Sequence, residues 1–147
     1  MNKYILVSIA FLSLGMLSFI KKEKKEKPLE NMVFDVTLVE ENNPKPTKPI
    51  PEELKFKAGN MLTKMFEEKY MFEKGEYLFT VDSADAENIK VHFNCEMRND
   101  KNEKLLWDAD VEDDTIEGKI LWMKKGKDKN DVVKKAYSFN GKIKMKR

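Results

Sequence analysis

Histidine and cysteine each occur once in this chain of 147 residues, as His92 and Cys95. One histidine excludes a multi-histidine metal site. One cysteine makes neither an internal disulfide nor a thiolate cluster. Cys95 falls between Phe93 and Met97 on an apolar face, where a thiol acts as a small hydrophobe; a reactive thiolate would need a neighbouring cation. His92 falls on the opposite, polar face beside Asn94. The densest group of oxygen ligands is Asp108, Asp110, Glu112, Asp113 and Asp114. Asp108 and Asp110 share a face, yet the run lacks the Asp-x-Asp-x-Asp-Gly pattern of a calcium loop. No Gly-x-Ser-x-Gly is present, and Gly126 and Gly141 are too isolated to cradle a phosphate. The expectation is a non-enzymatic protein with no catalytic residue, metal or cofactor.

Aromatic residues offer a different chemistry. Phe56, Phe79, Phe93, Trp107, Trp122, Tyr137 and Phe139 are the candidates to line a cavity for a small apolar ligand or lipid. The same side chains could equally fill a solid core, since a barrel of about eight strands does either.

The elements that would position them read as short strands. Ile89, Val91, Phe93, Cys95 and Met97 alternate with Lys90, His92, Asn94, Glu96 and Arg98, the period-2 pattern of a strand with one buried face and one wet face. Asn99 to Glu103 is a hairpin loop, after which Leu105, Trp107, Ala109 and Val111 continue the inward set. Ile116, Gly118, Ile120 and Trp122 follow, then Tyr137, Phe139, Gly141, Ile143 and Met145. These last two sets are expected to face each other across a closing hairpin that forms the final seam. Gly118 and Gly141 inside strands point to strong coiling or close packing under an aromatic such as Trp122 or Tyr137. Earlier strands are predicted at 32–39, 54–57, 61–65 and 77–81. The period is lost over Phe66 to Phe72, where a turn or two of helix would put Phe66 and Tyr70 on one side. Pro44, Pro46, Pro49 and Pro51 mark an extended loop. The prediction is an all-β domain: about eight antiparallel strands in a meander closing into a small barrel, with at most one short helix.

Domain organisation follows from the N-terminus. Tyr4 to Ile20 is uncharged, with Lys3 before it and Lys21, Lys22, Lys24, Lys25 and Lys27 after it. Residues 1–20 are expected to be a signal peptide or an N-terminal membrane anchor. As a helix the run would reach about 25 Å, just short of the hydrocarbon core. Residues 21–31 would be a charged linker and 32–147 the β-barrel. An exported location is expected: periplasmic, secreted, or membrane-attached through residues 4–20. Six of the 28 basic and two of the 26 acidic residues lie in 1–27, so the overall net charge of +2 becomes −2 for 28–147. With its signs interspersed, that domain is not expected to bind nucleic acid.

Several residues carry a resemblance. Over about 53–145 the chain has Leu54-Lys55-Phe56-x-x-Gly59, Tyr70-x-Phe72, Trp107, Asp114-x-Ile116-x-Gly118-x-x-x-Trp122-x-x-Lys125-Gly126 and Tyr137-x-Phe139-x-Gly141-x-Ile143. In these it resembles small exported bacterial proteins of the lipocalin-like, calycin-type barrel class, and it departs from lipocalins proper in lacking their N-terminal Gly-x-Trp. The resemblance implies a binding barrel for a small apolar ligand or lipid. The alternative is a filled barrel acting as a protein–protein interaction module in the cell envelope.

Overall fold

A computed structural model describes residues 28–82, 89–128 and 130–144. The expected signal or anchor over residues 1–20 lies outside them, as does Met145. In chain order the elements are β1 (Val33–Glu40), β2 (Ile50–Lys57), β3 (Asn60–Thr63), α1 (Met65–Tyr70), β4 (Gly75–Asp82), β5 (Lys90–Arg98), β6 (Lys104–Glu112), β7 (Thr115–Lys125) and β8 (Val132–Ile143). Every strand pairs antiparallel with its sequence neighbour, and β8 returns to β1, giving a closed barrel. The all-β meander predicted from alternation is the fold; its narrowest junction is β3–β4, where only Asn60 with Glu76 and Met61 with Gly75 are in register.

Turn chemistry sets the register. Ala58 and Gly59, between β2 and β3, both have positive φ (52° and 79°), as a two-residue hairpin with native twist requires. Asn99 organises the β5–β6 loop: its Oδ1 accepts from the amides of Lys101 (3.1 Å) and Glu103 (2.9 Å). This fixes His92 opposite Asp110, Asn94 opposite Asp108 and Cys95 opposite Trp107.

Three details differ from the sequence reading. First, the final seam is β8 on β1, with Phe139 opposite Leu38 and Gly141 opposite Val36. Across β7–β8, Ile116, Gly118 and Ile120 do face Gly141, Phe139 and Tyr137, but Trp122 faces Lys135 and Ile143 is left to pair with Phe34. The offset arises because the β7–β8 loop begins only after Lys125. Second, Gly118 and Gly141 are demanded by neighbouring backbone rather than by an aromatic. A Cβ on Gly118 would lie 2.3 Å from the Asp108 carbonyl oxygen and 2.5 Å from Ala109 Cβ. Third, residues 28–31, expected within the linker, belong to the barrel. Leu29 is buried, and the Asn31 amide donates to the Phe56 carbonyl (2.8 Å).

The two barrel ends are closed differently. One holds Leu29, the β2–β3 turn and the β6–β7 turn. There the Glu30 carboxylate accepts from the Ala58 and Gly59 amides and from the Tyr77 hydroxyl. The other end carries α1 and the β1–β2, β5–β6 and β7–β8 loops.

Candidate functional site

Inward alternation sends the candidate aromatics into two groups. In the half nearest Leu29, Phe56 meets Phe34, Tyr77 and Phe93 at centroid distances of 6.1, 5.1 and 5.2 Å, nearly perpendicular each time. Phe79 leans on Tyr77 at 6.0 Å and is only half-buried. In the half beneath α1, Phe66 is the hub. It sits 5.9 Å from Phe72, 5.9 Å from Trp107 and 5.7 Å from Trp122, edge to face in all three. Trp107 also meets Phe139 (5.3 Å), and Trp122 meets Tyr70 (4.6 Å). Tyr137 is buried on the same wall, its hydroxyl pushed up to about 12 by burial and by the nearby Glu40 carboxylate and Tyr70. The candidate residues therefore separate: Phe56, Phe79 and Phe93 in one half, Trp107, Trp122 and Phe139 in the other. Sequence reasoning missed Phe34 and Phe66. Phe66 lies where the strand period lapses, and its i, i+4 spacing from Tyr70 was the available signal.

The helix that delivers Phe66 has only six residues, too few to persist alone. It has no capping side chain of its own at Lys64. Glu52, inward on β2 and 4% exposed, supplies the cap from outside. Its Oε1 accepts from the Lys64, Met65 and Glu53 amides (2.9, 2.7 and 2.8 Å), and its Oε2 accepts from the Phe66 amide (3.1 Å). Burial pushes the Glu52 carboxyl above its ordinary range, outweighing the four amides, which pull it down. At its far end α1 stops at Met71, which takes a left-handed φ of 61°.

Set against protein-family models, curated proteins and solved structures, this chain matches none.

Three polar groups inside the α1 half lack a hydrogen-bond partner among the described residues: Trp107 Nε1, Trp122 Nε1 and Thr63 Oγ1. All three residues are at most 3% exposed. By contrast, Tyr77 in the other half reaches Glu30. An unpartnered buried polar group costs about 1–3 kcal/mol, so three at one end of the barrel are a concentrated cost.

On the outer wall, the β5–β6 register brings His92 between two carboxylates: Nδ1 is 2.9 Å from Asp110 Oδ1, and Nε2 is 3.2 Å from Asp108 Oδ1. Lys90 Nζ lies 3.9 Å from the second Asp110 oxygen. Among the described residues no group of three or more His, Cys, Asp or Glu side chains has metal-holding geometry. These contacts are exposed, and exposed ion pairs contribute about 0–1 kcal/mol. Replacing His92 with glutamine is expected to change unfolding free energy by less than about 1 kcal/mol in urea titration.

Cys95 is buried, and Gly75 leaves room for its sulfur: a Cβ there would come within 2.8 Å of Sγ. Burial, with a contribution from Glu96, pushes the thiol up to about 12. At neutral pH the thiolate is then roughly a thousandfold scarcer than for an ordinary cysteine. Ellman's reagent should leave the native protein essentially unlabelled and react fully once denaturant is added. Rapid native labelling would show an accessible thiolate instead.

Proposed function

We propose that this chain is a non-enzymatic, lipocalin-like binding barrel that takes a small, mainly apolar ligand or lipid into the half of its interior beneath α1. One observation carries the reading. An aromatic-lined barrel end is closed by a six-residue helix through one inserted side chain, Phe66, rather than by strands. A barrel of this size holds one small ligand when part of its filling withdraws. Export through residues 1–20 is part of the proposal, and would place the barrel in the envelope or outside the cell. N-terminal sequencing of the mature protein checks it: a start within the first few residues after position 15 supports a cleaved signal, and a start at Met1 leaves the anchor.

Binding is tested by native mass spectrometry of protein purified from its own cells, together with tryptophan emission on titration with the neutral probe N-phenyl-1-naphthylamine. Both tryptophans lie in the proposed site, so occupancy should change their emission and a small molecule should travel with the folded chain. A bare polypeptide mass with unchanged emission would sink the reading. The filled-barrel interaction module is the second reading. It is favoured by the edge-to-face packing of the aromatics and by a groove of about 700 Å³ on the outer wall of β6–β8, where Asp108, Asp110, Glu117, Lys119, Ser138 and Asn140 meet.

A further inference from the structure

We infer that the site beneath α1 recognises a neutral, planar molecule carrying a hydrogen-bond acceptor of the carbonyl type, held by the indole N–H groups of Trp107 and Trp122 and the hydroxyl of Thr63. This rests on the interior-binding reading and adds the chemistry of the occupant.

The acceptor follows from the kind of groups left unpartnered. Trp107 Nε1 and Trp122 Nε1 can only donate, and Thr63 Oγ1 can donate or accept. All three residues lie at the α1 end of the barrel: Trp107 and Trp122 pack on the Phe66 ring at 5.9 and 5.7 Å, and Thr63 ends β3 on its inward face, just before α1. Buried polar groups in folded proteins are nearly always partnered, and an exception calls for a reason. Aromatic faces accept only weakly from N–H donors. A ligand oxygen seated among these groups would remove their cost, and among the described residues the Phe56 half offers no unpartnered buried donor.

Neutrality follows from charge. Glu52 and Glu103 are buried carboxylates at this end, and an anion beside them would be repelled as well as desolvated. Lys124 stands over the Trp122 ring with Nζ 4.3 Å from its centroid, already engaged in a cation–π contact. Planarity follows from the walls that remain when Phe66 withdraws, which are ring edges and faces of Phe72, Trp107, Trp122 and Phe139.

The test uses two probes of nearly the same shape, acetophenone and α-methylstyrene, which differ in having C=O where the other has C=CH2. They are titrated into the full chain labelled with 15N. The two tryptophans give two indole N–H signals, separated by the spectra of Trp107→Phe and Trp122→Phe. Acetophenone is expected to move at least one indole proton downfield and to bind about tenfold more tightly than α-methylstyrene, with that preference reduced in either variant. Equal binding of both probes, with indole protons unmoved, would overturn the acceptor inference and leave interior binding standing. Binding of neither up to its solubility would overturn both. Strong exchange of the free protein's indole protons with bulk water would also overturn it, because those donors would then be satisfied by solvent.

Discussion

Replacing Glu52 with alanine should lower the unfolding free energy by about 4 kcal/mol and the melting temperature by more than about 10 °C. Glu52 is buried and accepts four backbone amides, three of them at the start of α1. Alanine leaves those donors facing an apolar void, and each buried orphan costs about 1–3 kcal/mol. Water can reach the exposed Lys64 end, so the sum is not fully realised. Glutamine keeps the volume but turns one oxygen into a donor, and should cost about half as much. Both substitutions also loosen α1, so a ligand that enters by displacing Phe66 should associate faster with Glu52→Gln than with the wild type.

The same residue makes a signed prediction in pH. Glu52 is raised in the fold, so just above the ordinary carboxylate value of 4.5 the native state keeps a proton that the unfolded chain has released. Stability contributed by that proton is present below 4.5 and falls as pH rises through the folded-state value. Glu53, next in sequence, shifts the other way. Lys144 Nζ donates to it at 2.7 Å and holds its carboxyl low, so its contribution is lost as pH falls through that lowered value. The two partly cancel in the wild type. The informative quantity is the difference between wild type and Glu52→Gln, measured by urea unfolding from pH 3 upward. It should shrink as pH rises above 4.5; a difference that grows would overturn the assignment.

Alternation made most of the architecture legible. Val91 to Met97 and Leu105 to Val111 carry an unbroken period of two, so their faces and the intervening hairpin could be read directly; Ile89, expected on the inward face, instead precedes β5 and is exposed. That hairpin also fixed the pairing of His92 with Asp110, a contact available from the register but visible only once the loop ends were set. Glu52 was hidden for a different reason. Its inward phase is shared with Leu54 and Phe56, but the prolines around it read as loop. Pro51 is nonetheless tolerated near the start of β2, opposite Thr37. The helical turn with Phe66 and Tyr70 on one side was legible, but the role of Phe66 as the aromatic hub was not, because a six-residue helix is docked by its external cap and its packing partners. The unpartnered indoles could not be read at all, since a tryptophan's position in a pattern says nothing of what its N–H meets.

Gly141→Val should be among the most damaging single substitutions in the barrel wall, lowering stability by at least about 3 kcal/mol. Gly141 sits where β8 meets β1, opposite Val36 on one side and Ile116 on the other. A Cβ there would fall 2.0 Å from the Asp35 carbonyl oxygen and 2.7 Å from Val36 Cα. Both obstacles are backbone, so no rotamer change relieves them. β1 and β8 would have to part, and this pair is the one that closes the sheet. Opening it exposes two strand edges at once, and unpaired edges recruit other chains. The expected result is loss of near-ultraviolet circular dichroism from the buried tryptophans, together with soluble aggregates in size-exclusion chromatography. Gly141→Ala should show a milder form of both. Gly126→Ala is the comparison: its added Cβ would lie 2.5 Å from the Asp131 Cβ, so the β7–β8 loop must shift, but no strand pair has to part, and the cost should be smaller than at Gly141. If Gly141→Ala proved equally mild, the seam would be able to separate without unfolding, and closure of the barrel would not be what holds the two aromatic groups in place.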